Sequence, residues 1–115
     1  LLNYDELTDQ SKYILSKLYK IYLERINSGI SRKNANSFGN IHDIQKITLP
    51  NENIDDLGED INGLSRKHFI NASYGSNIVL KSSLTNEAIA LMQHKFGNDL
   101  KKIAKGIFEI SKLIL

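Results

Sequence analysis

The side chains that could carry chemistry in this chain are thinly spread. His42, His68 and His94 lie far apart and form no pair at metal-ligand spacing. His42 and Asp43 are adjacent, and neighbours in sequence seldom face one another. Asp55 and Glu59 stand four apart, on one face of any helix that holds them, but exposed carboxylate pairs of this kind are common without catalysis. There is no cysteine, which removes thiolate zinc sites, iron–sulfur clusters, disulfides and cysteine nucleophiles together. No Gly-x-Ser-x-Gly elbow, phosphate loop or dinucleotide fingerprint occurs. The expectation is a protein without enzymatic activity, cofactor or metal.

The remaining chemistry is electrostatic. Arg32, Lys33, Lys46, Arg66, Lys67 and Lys81 are the candidates for neutralising nucleic-acid phosphates, the main source of affinity for duplex DNA. A net charge of +2 looks uninformative, but it is unevenly distributed. Residues 50–63 hold five acids (Glu52, Asp55, Asp56, Glu59 and Asp60) and no base, while residues 64–84 hold three bases and no acid. The acidic block either meets a basic partner or simply caps a helix and solvates a loop.

These side chains need elements to position them. The chain has 115 residues, of which 41% are apolar and 24% charged, as in an ordinary globular domain large enough for its own core. No apolar run approaches the ~20 residues of a membrane helix, and no basic–apolar–small leader pattern opens the chain. A cytoplasmic protein is expected.

Thr8 or Asp9 can cap a long first helix, with Ile14, Leu15, Leu18, Ile21, Tyr22 and Ile26 at helical spacing and Gly29 at its end. Core packing is the expected role for Tyr13 and Tyr19. Ser31 can cap a second helix over 31–38, and Asn40 a third over 41–47. Pro50 breaks the chain. Asn53 then caps a helix in which Ile54, Leu57, Ile61 and Leu64 share a face. Two strands follow, 69–74 and 77–83. Ile70, Ala72 and Tyr74 alternate in the first, and Ile78, Leu80 and Ser82 in the second. Gly75-Ser76 suits a two-residue type II′ turn between them. Thr85 caps a helix carrying Ile89, Met92 and Phe96, and an amphipathic helix closes the chain over 98–115.

Helices, then a β-hairpin, then a helix is the order of a winged helix-turn-helix domain. Leu64-Ser65-Arg66-Lys67-His68-Phe69-Ile70 resembles the end of the third helix and the entry to the wing in MarR-like and PadR-like regulators. Ser83-Leu84-Thr85-Asn86-Glu87-Ala88-Ile89-Ala90-Leu91 resembles the wing exit, where a Leu-Thr pair begins the next helix. Two glycines common in those regulators are replaced here by His68 and Ala88; histidine tolerates positive φ better than most residues. The plan is also similar to that of small phage and mobile-element proteins of Gram-positive bacteria. The resemblance implies an α-rich α+β fold: a winged helix-turn-helix over 8–96 with a two-stranded wing, and an extra C-terminal helix over 97–115.

It also implies a regulator-like protein that binds duplex DNA. Against this, Asp55, Asp56 and Glu59 occupy the front of the presumed recognition helix, and the wing tip carries no Arg or Lys. The alternative is a protein-interaction module on the same scaffold. The two separate on where the bases fall. A shared basic face favours DNA; scattered bases beside an exposed acidic recognition surface favour a protein partner. A homodimer is expected through the last helix, with Leu100, Ile103, Ile107, Phe108 and Ile114 at the interface, unless that stripe folds back as core. The unusually apolar chain end, Leu113, Ile114 and Leu115, favours the dimer. Membrane-surface binding by this helix is disfavoured, because it lacks Trp and Arg.

Overall fold

A computed structural model describes residues 2–114 of the chain; Leu115, assigned above to the apolar chain end, lies outside them. Helix α1 (Asp9–Asn27) starts where the Thr8 side chain accepts the Ser11 N–H, and a short 3-10 turn (Tyr4–Glu6) precedes it. It ends at Gly29, whose φ of 93° lets Gly29 and Ile30 return their N–H groups to the carbonyls of Ile26 and Arg25. Its buried side holds Tyr13, Ile14, Leu15, Leu18, Tyr19, Tyr22 and Leu23, so α1 is the central element. Ile21 and Ile26, expected in that stripe, are only half-buried. The tyrosines displace the stripe by about one position, because ring-bearing side chains also seek the interior.

Helix α2 (Arg32–Ala35) is capped by Ser31 as expected but stops three residues before Phe38. Asn36 ends it. Its amide donates to the Leu84 carbonyl at 2.9 Å and accepts the Leu84 N–H at 2.8 Å. Helix α3 (Ile41–Thr48) begins with a reciprocal capping box between Asn40 and Asp43. Helix α4 (Ile54–Arg66) follows the Pro50 break, capped by Asn53, with Leu57, Ile61 and Leu64 buried. Its end is closed by His68 at φ 66° in the position a glycine usually takes, with His68 and Phe69 N–H groups returned to Ser65 and Leu64.

Strands β1 (Ile70–Gly75) and β2 (Ile78–Leu84) pair antiparallel. Two expectations about this hairpin are corrected. The turn is Ser76-Asn77, not Gly75-Ser76; both residues have positive φ (52° and 66°), as a type I′ turn requires. The alternation in β2 also breaks. Ser73 pairs with Lys81 but Tyr74 pairs with Val79, which leaves Leu80 as a bulge. Val79 is therefore buried, while Ile78 and Leu80 are exposed. Gly75 accommodates the bulge: a Cβ there would lie 2.6 Å from a Leu80 methyl.

A third segment lines the hairpin's outer edge. The Thr85 N–H bonds to the Phe69 carbonyl, so ladder alternation turns the polar groups of Leu84 and Ser82 away from β1. Asn36 meets Leu84, and the Phe38 N–H reaches the Ser82 carbonyl at 3.1 Å. The Ser82 hydroxyl donates to the Gly39 carbonyl. Residues 36–39 thus fasten the helical half of the chain to β2.

Helix α5 (Asn86–Phe96) is capped by Thr85, whose hydroxyl also donates to the His68 carbonyl. Helix α6 (Leu100–Ile114) packs along α1. Gly106 permits its close approach to α5, since a Cβ there would stand 2.8 Å from the Phe96 ring. The Tyr19 hydroxyl donates to the Gly97 carbonyl at 2.8 Å, tying α1 to the α5–α6 elbow; burial pushes its pKa up to about 12. The result is a compact, α-rich α+β domain with six helices and one two-stranded antiparallel hairpin among the described residues. No helix among them is long and apolar enough to cross a membrane.

Candidate interaction surface

With Leu57, Ile61 and Leu64 turned inward, the helical repeat turns Asp55, Glu59, Asn62 and Arg66 of α4 outward. Asp55, Asp56 and Glu59 are exposed along its first half, and Arg66 and Lys67 at its end. The ion pairs among the described residues are Lys20–Glu24 and Glu109–Lys112, so the acids of α4 make no direct ion pair, although Glu59 and Asp60 line one cleft with Arg66 and Lys67.

This ridge has a depression on each side. Toward the hairpin lies a crevice of about 260 Å³, whose lining mixes Ile41, Ile54, Ile78 and Val79 with Asp55, Glu59, Asn62 and Asn77. Beyond it the Tyr74 hydroxyl donates to Asn62 Oδ1 at 2.7 Å, joining hairpin to helix. Toward the start of α1 lies a cleft of about 560 Å³, whose walls include Thr8, Ser11, Asp60, Arg66 and Lys67. At that end of α1, Gln10 donates to Glu52 Oε2 at 2.7 Å and to Asp60 Oδ2 at 3.3 Å. Burial holds the Asp60 carboxyl above the usual carboxylate range. The Gln10 hydrogen bond opposes this, and the neighbouring Glu52, Asp56 and Glu59 charges add to it.

The six bases expected at a DNA surface are distributed as follows. Arg66 and Lys67 line the α1–α4 cleft together. Lys46 lines a different crevice with Arg25, which donates to the Ser37 carbonyl and lies over the Phe38 ring. Lys81 lines a third with Asn36 and Ser37. Arg32 and Lys33 are exposed on the single turn of α2. None of these three crevices holds more than two of the six.

In α6, Ile103 is fully buried against the chain's own core, and Leu100, Ile107 and Ile114 pack half-buried beside it. Of the five residues expected at a dimer interface, Phe108 alone is largely free, at 59% exposure. Tyr13 and Tyr19 are core residues, as expected. The three histidines are exposed, and no group of three or more His, Asp or Glu side chains among the described residues could hold a metal ion.

Three exposed apolar side chains on the hairpin, Tyr74, Ile78 and Leu80, were not legible as a surface in the sequence. Strict alternation would have set Ile78 and Leu80 on the face of Ser82; the bulge at Leu80 turns Val79 to that face and Ile78 away from it, while Tyr74, paired with Val79, is exposed close to the hairpin turn. The chain matches no protein-family model, no curated protein and no solved structure.

Proposed function

We propose that this chain is a winged helix-turn-helix module that acts without catalysis, by docking a protein partner on the outer face of α4 and the adjoining hairpin. The winged-helix reading is supported by the α3–α4 pair, the hairpin that follows it, and the 36–39 segment bonded to the edge of β2. The docking reading is carried by one observation. Asp55, Asp56 and Glu59 are exposed and make no direct ion pair on the half of α4 that a DNA reader would press into the major groove. Against phosphates these carboxylates would be repelled; against a basic protein surface they attract and set the register.

Duplex DNA is the second reading. Arg66 and Lys67 favour it, because they stand exposed together at the end of the same helix. The test is capture from a nuclease-treated lysate of the source cell. The intact chain should retain a protein, and an Asp55→Lys/Asp56→Lys/Glu59→Lys variant should lose it. Capture that disappears on nuclease treatment would move the assignment to nucleic acid.

A further inference from the structure

The chain carries, on a separate element, a surface complementary to the α4–hairpin face. Helix α6 turns Ile103, Ile107, Ile110 and Ile114 toward α1. On another side it presents Lys101, Lys105, Phe108 and Lys112, spaced four, three and four residues apart and therefore in one stripe. All four are exposed. Lys112 Nζ sits 4.7 Å from the centre of the Phe108 ring, so the aromatic and the cation form one group. A half-buried packing role does not account for Phe108. It is a large ring left in water beside three lysines, of which Lys112 alone has an ion-pair partner among the described residues, the exposed Glu109.

The α4–hairpin face has the opposite character. Its crevice of about 260 Å³ is lined by isoleucine and valine side chains together with Asp55, Glu59, Asn62 and Asn77. That volume is below the roughly 300–1,000 Å³ of small-ligand pockets, a size for one inserted side chain rather than a whole ligand. Asp55 and Glu59 on its rim are one helical turn apart, as Lys101 and Lys105 are on α6. Ile78, 47% exposed, is the apolar side chain that borders the crevice from the hairpin.

We infer that the partner of the α4–hairpin face is a second copy of this chain, which inserts Phe108 of α6 into the crevice and sets Lys101 and Lys105 against Asp55 and Glu59. The inference rests on the protein-docking reading and names its partner. The two surfaces belong to different elements, and α6 is held along α1 by its isoleucines. The contact therefore joins one copy's α6 to the other copy's α4. It closes into a pair where both copies engage reciprocally, and otherwise extends head to tail. Aromatic anchors seated in a pocket with charged neighbours at the rim are the usual centre of such contacts.

The test is sedimentation of the purified full chain over a concentration series at low and high salt. The expected result is association above the 13.0 kDa monomer that weakens as salt rises. Phe108→Ala should weaken association about tenfold or more while leaving the thermal unfolding curve in place, since the ring is exposed. Two charge-reversed chains supply the specific readout: Asp55→Lys/Glu59→Lys and Lys101→Glu/Lys105→Glu. Each alone should stay monomeric, and an equimolar mixture should associate, because each then meets its opposite. A wild-type chain that stays monomeric at high micromolar concentration would overturn self-docking, as would a mixture that fails to associate. Neither result depends on lysate capture, which decides the broader docking reading separately.

Discussion

Replacing Asn36 with alanine should be among the most destabilising single changes outside the apolar core. The amide of Asn36 makes two hydrogen bonds to one residue 48 positions away, donating to the Leu84 carbonyl at 2.9 Å and accepting its N–H at 2.8 Å. Both Leu84 groups point away from β1, so no ladder partner replaces Asn36. Leu84 is only 2% exposed, which limits what water can do in its place. A buried polar group left unsatisfied costs about 1–3 kcal/mol. Two such groups, with partial access for water, give about 2–4 kcal/mol for Asn36→Ala. In a domain of this size that corresponds to a fall in Tm of about 8–16 °C. Urea unfolding followed by far-UV circular dichroism measures it directly, with the slope m reporting whether the unfolding surface is unchanged. Asn36→Asp supplies a control. It keeps the acceptor for the Leu84 N–H but sets a carboxylate against the Leu84 carbonyl. The loss should be large at neutral pH and shrink in acid, where the carboxyl gains a proton to donate. A loss below about 0.5 kcal/mol for Asn36→Ala, at unchanged m, would refute the claim that this clasp fastens the helices to the hairpin.

His68→Gly should stabilise the domain by about 1 kcal/mol, because φ at this exposed position is 66° and only glycine adopts it without cost; His68→Ala should give no such gain. Thermal unfolding of the two variants side by side checks this. Asp60→Asn should stabilise the domain at neutral pH and lose its advantage in acid. Since the folded protein holds Asp60 above its ordinary range, the ionised carboxylate is a penalty that is full above the raised value. The penalty is relieved as pH falls through that value and is absent below the ordinary one, while asparagine can still accept the Gln10 hydrogen bond. Denaturant unfolding of both proteins from pH 7 downward should show the two stabilities converging; a constant difference would remove the electrostatic explanation. Tyr19→Phe should cost about 1 kcal/mol through loss of the hydrogen bond to Gly97. In the intact protein, ultraviolet titration should show this tyrosine ionising only at about pH 12.

The starts of α1 to α5 were legible because each is written in a short-range chemical signal; α6, expected from residue 98, instead starts at Leu100, where the Asp99 side chain accepts the Lys101 and Lys102 N–H groups. Thr8, Ser31, Asn40, Asn53 and Thr85 all accept a backbone N–H two or three residues ahead, a relation contained within four positions of sequence. The turn at His68 was expected from the resemblance, which places a glycine there, and from the tolerance of histidine for positive φ. The misplaced features depend on contacts across the chain. Helix α2 ends early because Asn36 bonds to Leu84, and no local signal at residues 31–38 announces that partner. The turn moved to Ser76-Asn77 because Leu80 bulges over Gly75, a packing event between strands rather than a turn propensity. The surface was legible as charge but not as shape. The acidic block was plain in the sequence, whereas its placement beside a crevice closed by Ile78 and Val79 required the position of the hairpin. In α6 the repeat of apolar residues was clear, but one stripe of isoleucines could serve the chain's own core or a partner's, and only the packing on α1 assigns it.

Titration of the wild-type chain against a mixed-sequence DNA duplex, followed by fluorescence anisotropy across a salt series, tests the docking assignment most directly. With Asp55, Asp56 and Glu59 exposed at the front of α4, no saturable binding is predicted even at about 50 mM salt, where phosphate contacts are strongest. The Asp55→Lys/Asp56→Lys/Glu59→Lys variant should gain weak, salt-sensitive binding. Tight wild-type binding that falls steeply with salt, with a slope reduced by about one unit in Lys67→Ala, would contradict a protein-docking face and restore the DNA reading.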